Sequence, residues 1–134
     1  MRDVITAIGI AIKLAAYIVG GNESPCYITY YGTESDGFLG ARHGASWHGD
    51  ACGLPEEVDE IHYGVAAPRW IPYCTKVLVC YKEVCIVVTV VDRMADDRKD
   101  GMPRLDLWPA AAAELGMVEA GVVEGVVVLS DDQD

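Results

Sequence analysis

This 134-residue chain holds 21 acidic residues, and two of those with apolar neighbours are Asp92 and Asp106. Asp92 ends the run Val87-Val88-Thr89-Val90-Val91, and Asp106 lies between Leu105 and Leu107. A carboxyl group with one side against a core loses hydration, so its proton is held to higher pH and becomes available for donation. The alternative for both is a capping role, with Asp106 closing the following turn or helix and Asp92 a loop through backbone N–H groups. Asp96, Asp97 and Asp100 read as solvated loop charges. The aromatic set is seven Tyr, three Trp and one Phe, which supplies flat faces with polar edges of the kind that stack on sugar rings. Trp47, Trp70, Trp108, Tyr30 and Tyr31 are the candidate stacking faces, although Trp70 and Trp108 also suit a core.

Five cysteines occur, at 26, 52, 74, 80 and 85. No C-x-x-C pair is present and the three His are not at zinc-finger offsets, so neither a structural metal nor a cofactor is implied. Residues 75–81 and 84–92 read as two strands joined at Lys82-Glu83. If Tyr81 faces Val84 across that turn, Cys80 faces Cys85 in the next, non-hydrogen-bonded pair, with Cα atoms ~4.5 Å apart and within disulfide reach. A bridge there implies an oxidising compartment. The other reading is that both are small buried hydrophobes. Of Cys26, Cys52 and Cys74, at most two can pair.

The elements that must hold these residues are mostly β. Residues 26–31, 64–67, 75–81, 84–92, 105–107 and 122–129 are strand candidates. The near-continuous Val and Ile content of the middle ones predicts burial on both faces. Pro109 to Leu115 is a helix with Pro in its first turn and Gly116 at its end. Residues 32–53 hold six glycines and read as an irregular, ligand-facing loop. Six short strands and one small helix favour a closed barrel over a sandwich. The expected organisation is an apolar helix at 1–20, a linker at 21–25, a barrel at 26–130 and an acidic tail at 131–134. Residues 4–19 would span roughly 24 Å as a helix, short of the ~30 Å needed to cross a bilayer, and Lys13 interrupts them. Signal, anchor and assembly-packing readings stay open for this segment. The net charge of −11 repels nucleic acid and anionic lipid.

Residues 65–79 resemble the "small residues, then Leu/Ile-Pro-x-Gly-Thr-x-Val" segment of the double-psi β-barrel. Val90-Val91-Asp92-Arg93 is similar to the Asp-Arg-Gly-Pro loop of the rare lipoprotein A family. Residues 104–116 are similar to that family's "Arg-x-Ile-Asp-Leu-Ser-x-x-Ala-Ala-x-x-Leu-Gly". Ile28-Thr29-Tyr30-Tyr31-Gly32 resembles an opening shared with bacterial expansins, and Gly49-Asp50-Ala51-Cys52-Gly53 the expansin Gly-Ala-Cys-Gly. Together these cover about residues 27–129.

The resemblance implies a six-stranded double-psi β-barrel that binds peptidoglycan or another β-linked polysaccharide outside the cytoplasm. Lytic transglycosylase activity is the enzyme reading, with Asp92 and Asp106 as catalytic residues on the groove floor. Thr29 matches a groove Thr of expansins, and Tyr31, Trp47, His48 and Arg93 join it as candidate substrate-binding residues. An expansin-like wall loosener without cleavage is one alternative. Another is a subunit of an extracellular assembly, such as a phage tail, joined to its neighbours through residues 1–20. Three departures bear on catalysis. Pro68 stands where many family members carry His, Met94-Ala95 replaces Gly-Pro, and Cys74 replaces Gly. His48 is the candidate to stand in for the missing His.

Overall fold

A computed structural model describes residues 21–37, 39, 52–94, 98–99 and 102–130. The strands are β1 (Gly21–Tyr30), β2 (Gly64–Ala67), β3 (Lys76–Tyr81), β4 (Val84–Arg93), β5 (Arg98–Lys99), β6 (Met102–Leu107) and β7 (Val123–Ser130), with helix α1 (Pro109–Leu115) before β7. Six of them close in the order β1-β7-β3-β4-β2-β6 and back to β1, and β5 adds a short flap on β6. Closure leaves the six strands without a free edge, the hazard that open sheets must otherwise manage. Two pairs are parallel, β1 with β6 and β2 with β4, and the other four contacts around the ring are antiparallel.

Alternation fills the interior. Ile28, Val65, Val77, Val79, Val88, Leu105 and Val127 point inward and are at most 1% exposed. Helix α1 adds Ala111, Ala112 and Leu115 to the same core. Pro109 suits its first turn because the missing N–H has no partner there. Gly116 ends it at φ 78°, donating to the carbonyls of Ala112 and Ala113. A second, smaller core gathers Val58, Val91 and Trp108 with Tyr31, Cys52 and Leu54. The segment 52–58 is thereby fastened onto the barrel.

The hairpin at 80–85 forms as the sequence implies. Cys80 pairs with Cys85 and Tyr81 with Val84, Lys82 takes φ 54° in the turn, and the bridge closes over 4.1 Å between Cα atoms. A second bridge joins Cys52 to Cys74, leaving Cys26 as a buried thiol whose pKa burial pushes up to about 12.

Residues 21–25, expected as a linker, are instead the first half of β1, in register with Ser130 to Val126 of β7. Pro25 is tolerated because β6 joins β1 only from Tyr27 onward, so at Pro25 the strand has one neighbour and the missing N–H breaks no ladder. The charged loop expected at 92–103 contains β5 and the start of β6. The apolar helix expected at 1–20 and the tail at 131–134 lie outside the described residues. Among the described residues, no helix is long and apolar enough to cross a membrane.

Candidate functional site

Four residues lie side by side across four adjacent strands. Thr29 of β1 pairs with Asp106 of β6, Asp106 with Ala66 of β2, and Ala66 with Asp92 of β4. Residues in register present their side chains to the same face of a sheet. Their neighbours Ile28, Leu105, Leu107, Val65 and Ala67 point into the barrel, so this row faces outward. Two strand spacings, roughly 10 Å in all, separate the Asp92 and Asp106 backbones, with only the methyl group of Ala66 between them.

Asp92 reaches this face because β4 is irregular. Val65 pairs with Val90, but the next residue, Ala66, pairs with Asp92, so Val91 is a surplus residue. Strict alternation from the inward-facing Val88 and Val90 would aim Asp92 into the core. The bulge turns it outward and sends Val91 to the smaller core beside Trp108.

The two acids have different partners. Asp92 Oδ1 accepts the Arg93 N–H at 2.8 Å, and Oδ2 accepts the Tyr31 hydroxyl at 3.2 Å. Tyr31 in turn accepts the Trp108 indole N–H at 3.0 Å. The capping alternative therefore holds in part for Asp92, through one backbone amide. Burial, with the Asp92 charge beside it, holds the Tyr31 phenol well above its ordinary range, so it remains a donor. Tyr31, a candidate sugar-stacking face, is thus engaged in fixing Asp92.

Asp106 is half-buried and accepts the Thr29 hydroxyl at 2.8 Å. Its pKa is raised by burial, pulled down by the Thr29 hydrogen bond and the Arg104 charge, and pushed up by Asp36 and Asp92. Thr29 also lies 3.4 Å from the Leu105 carbonyl. A hydroxyl carries one proton and can accept as well as donate. When Asp106 is ionised, Thr29 donates to it. When Asp106 is protonated, Thr29 accepts from it and turns its own proton to Leu105. Both protonation states of the acid are accommodated without moving the backbone.

Arg93, a candidate substrate contact, directs Nη1 to the carbonyls of Pro68 at 2.8 Å and Ile71 at 2.6 Å. Its guanidinium stacks on Tyr73 at 4.1 Å, so it braces the turn between β2 and β3. Pro68, at the position of the family His, is buried within that braced turn. Trp108 is fully buried and Trp70 is 46% exposed, which separates the two as core and available face. Trp47 and His48 lie outside the described residues. Among the described residues, no cluster of His, Cys, Asp or Glu suits a metal ion.

Sequence reasoning missed Ala66, the bulge, and Asp36, whose Oδ2 accepts the Gly32 N–H at 3.1 Å. Gly64 was missed as well. A Cβ there would lie 2.5 Å from Trp108 Cε2, so the indole that reaches Tyr31 can seat only against glycine.

The closed ring of six strands, with its two parallel pairs and single short helix, is a double-psi β-barrel, a fold consistent with that of the rare lipoprotein A and expansin type. Solved structures carry the same fold. The Streptomyces papain inhibitor is 25% identical over 81% of this chain and 93% of its own, with a TM-score of 0.53. The apo expansin of Clavibacter michiganensis is 19% identical over 84% of this chain, with a TM-score of 0.57. A point mutant of that expansin in complex with cellohexaose is 17% identical over 81% of this chain, with a TM-score of 0.56. This chain spans about half the length of the expansin chains, 52% and 50%. No family model and no curated protein matches the sequence.

Proposed function

We propose that this protein binds a β-linked glycan across the outward row Thr29–Asp106–Ala66–Asp92, with peptidoglycan as the polymer and Asp106 as the proton donor of a lytic transglycosylase. The observation that carries this reading is the pairing of a half-buried acid of raised pKa with a second acid across a single small residue. The small Ala66 leaves space for a sugar ring between the two carboxyl groups. An expansin of the same fold in complex with cellohexaose, a β-linked glucan, adds support. The two disulfides fit an oxidising, extracytoplasmic setting.

In the proposed reaction the Asp106 carboxyl gives its proton to the glycosidic oxygen as the C1–O bond breaks. The sugar's own C6 hydroxyl then bonds to C1 and returns its proton to the Asp106 carboxylate, closing an anhydro ring. The acid is regenerated and no second catalytic carboxylate is consumed. Asp92, held by Tyr31 and Arg93 N–H, supplies negative charge on the far side of Ala66, where positive charge develops on the ring.

Purified peptidoglycan tests the proposal. The wild-type protein should sediment with the polymer and release anhydro-muropeptides, and Asp106→Asn should keep sedimentation while losing release by at least about 100-fold. Sedimentation without release by wild type would reduce the function to a non-cleaving wall loosener. Absence of both sedimentation and release would overturn the glycan reading. A second reading, inhibition of a protease, is favoured by the match to nearly the whole of the papain inhibitor chain. Titration of papain activity with the wild-type protein tests it.

A further inference from the structure

Strand order puts β2 and β3 on either side of β4, so the connection between them, residues 68–75, has to cross β4. It crosses at the end that carries Asp92. Ala67, the last residue of β2, pairs with Arg93, and farther along the connection the Cys74 N–H donates to the Val90 carbonyl at 2.8 Å. The connection is thus the stretch of chain next to the Asp92 end of the outward row.

That stretch is fixed at several points. The Ile71 N–H donates to the Pro68 carbonyl at 3.1 Å, closing a turn with Arg69 and Trp70 at its two central positions. Arg93 Nη1 donates to the carbonyls of both closing residues. The Ile71 side chain is 1% exposed, the Thr75 hydroxyl donates to the Pro72 carbonyl at 2.6 Å, and the Cys52–Cys74 bridge pins the far end.

The two central side chains take no part in this bracing. Arg69 is exposed, and no hydrogen bond or ion pair joins it to another described residue. Trp70 keeps 46% of its surface in water, beside the sunken Ile71. A tryptophan is ordinarily covered over most of its area. A flat indole can stack on the C–H face of a sugar ring, and a guanidinium binds a carboxylate through two parallel N–H bonds. Carried on a fixed turn, both lose little freedom when a ligand settles on them.

Charge narrows the class of sugar. The chain carries a net charge of −11, and Asp36, Asp92 and Asp106 act on one another across the row. Arg104 offsets them beside Asp106, and Arg69 stands at the Asp92 end. A neutral polymer needs no cation there, whereas one that bears carboxylates is repelled by the acids unless a cation answers it. From Ala66 to Trp70 is four residues, at most about 14 Å, so a polymer lying over Ala66 reaches both side chains.

We infer that Arg69 and Trp70 form a binding subsite for a carboxylate-bearing sugar unit, with Trp70 stacked on the ring and Arg69 paired with the acid group. In peptidoglycan that unit is the peptide-substituted sugar. The subsite presupposes the glycan binding proposed above and narrows it from β-linked polymers in general to anionic ones.

Sedimentation with two insoluble probes tests it, purified peptidoglycan and chitin, an uncharged β-linked polymer. Wild type should bind peptidoglycan at least about tenfold more tightly than chitin. Arg69→Gln should remove most of that preference by weakening peptidoglycan binding alone. Trp70→Ala should weaken peptidoglycan binding at least about tenfold, and Trp70→Phe, which keeps a flat face, less than about threefold. Circular dichroism checks that each variant is folded. Equal binding of the two polymers by wild type, an intact preference in Arg69→Gln, or Trp70→Ala binding like wild type would overturn the subsite and leave the glycan reading standing. A loss in Trp70→Phe as large as in Trp70→Ala would overturn it too. Binding of neither polymer by wild type would overturn both.

Discussion

Cys74 is the position where backbone strain and a covalent staple can be separated by experiment. It adopts φ 67°, a left-handed conformation that β-carbon-bearing residues avoid, and it bridges to Cys52 across 22 residues. Closing a loop of that length removes about 3.4 kcal/mol of freedom from the unfolded chain by the chain-entropy relation. The left-handed conformation costs a non-glycine residue about 1–2 kcal/mol, of which glycine's larger entropy loss returns about 0.5–1. In the absence of the bridge, glycine at 74 should therefore beat alanine by about 0.7 kcal/mol. Cys74 is exposed, so burial changes little between the two. The comparison is Cys52→Ala/Cys74→Ala against Cys52→Ala/Cys74→Gly, by urea unfolding under non-reducing conditions. With a slope of ~1.5 kcal/mol/M, the alanine pair should fall roughly 2 M below wild type and the glycine pair should recover roughly 0.5 M of that. A glycine pair no more stable than the alanine pair would refute the argument, because strain at this residue would then contribute nothing.

Other expectations follow from the same geometry. Gly64→Ala should cost about 1–3 kcal/mol by forcing the Trp108 ring away from Tyr31, read as a lower urea midpoint together with altered tryptophan fluorescence. Arg93→Ala should cost about 2–3 kcal/mol because the carbonyls of Pro68 and Ile71 lose a charged donor, and an unchanged midpoint would argue against the bracing role. For Asp106 the sign follows from its raised native pKa. The folded state holds this proton when the unfolded carboxyl, near ~3.9, has lost it, so the stability it gives is complete below that value and declines as pH rises through the native one. Asp106→Asn should accordingly gain stability relative to wild type between about pH 3.5 and 7, and a constant difference across that range would count against the shift.

The parts of the fold legible in the sequence were those set by local chemistry. The hairpin at 80–85 needed only a two-residue turn between β-branched runs, and α1 needed only Pro109 and Gly116 around small apolar residues. The expected linker at 21–25 was misread because Gly, Asn and Pro are local breakers. Its strand conformation is imposed by β7, whose ladder runs on to Ser130. Asp92 and Asp106 were legible as half-buried acids, and the resemblance brought in Thr29. Their common row was not legible, because register between β2, β4 and β6 is a long-range property. The hold of Arg93 on the barrel's own backbone was not legible for a related reason. Nothing near it in sequence shows that the turn after β2 brings two carbonyls to its guanidinium.

The surplus residue in β4 has a consequence for how chains of this shape are compared. A relative with one further residue in β2, facing Val91, would pair without the bulge. It would still show an acid followed by arginine at the end of an apolar strand, so a motif search would score it as equivalent. Its carboxyl would nonetheless be pointed into hydrocarbon, with nothing to solvate it. Whether such a barrel can offer two acids to the outside is thus a matter of counting residues between strand partners, and a gap of one in an alignment is enough to hide the difference.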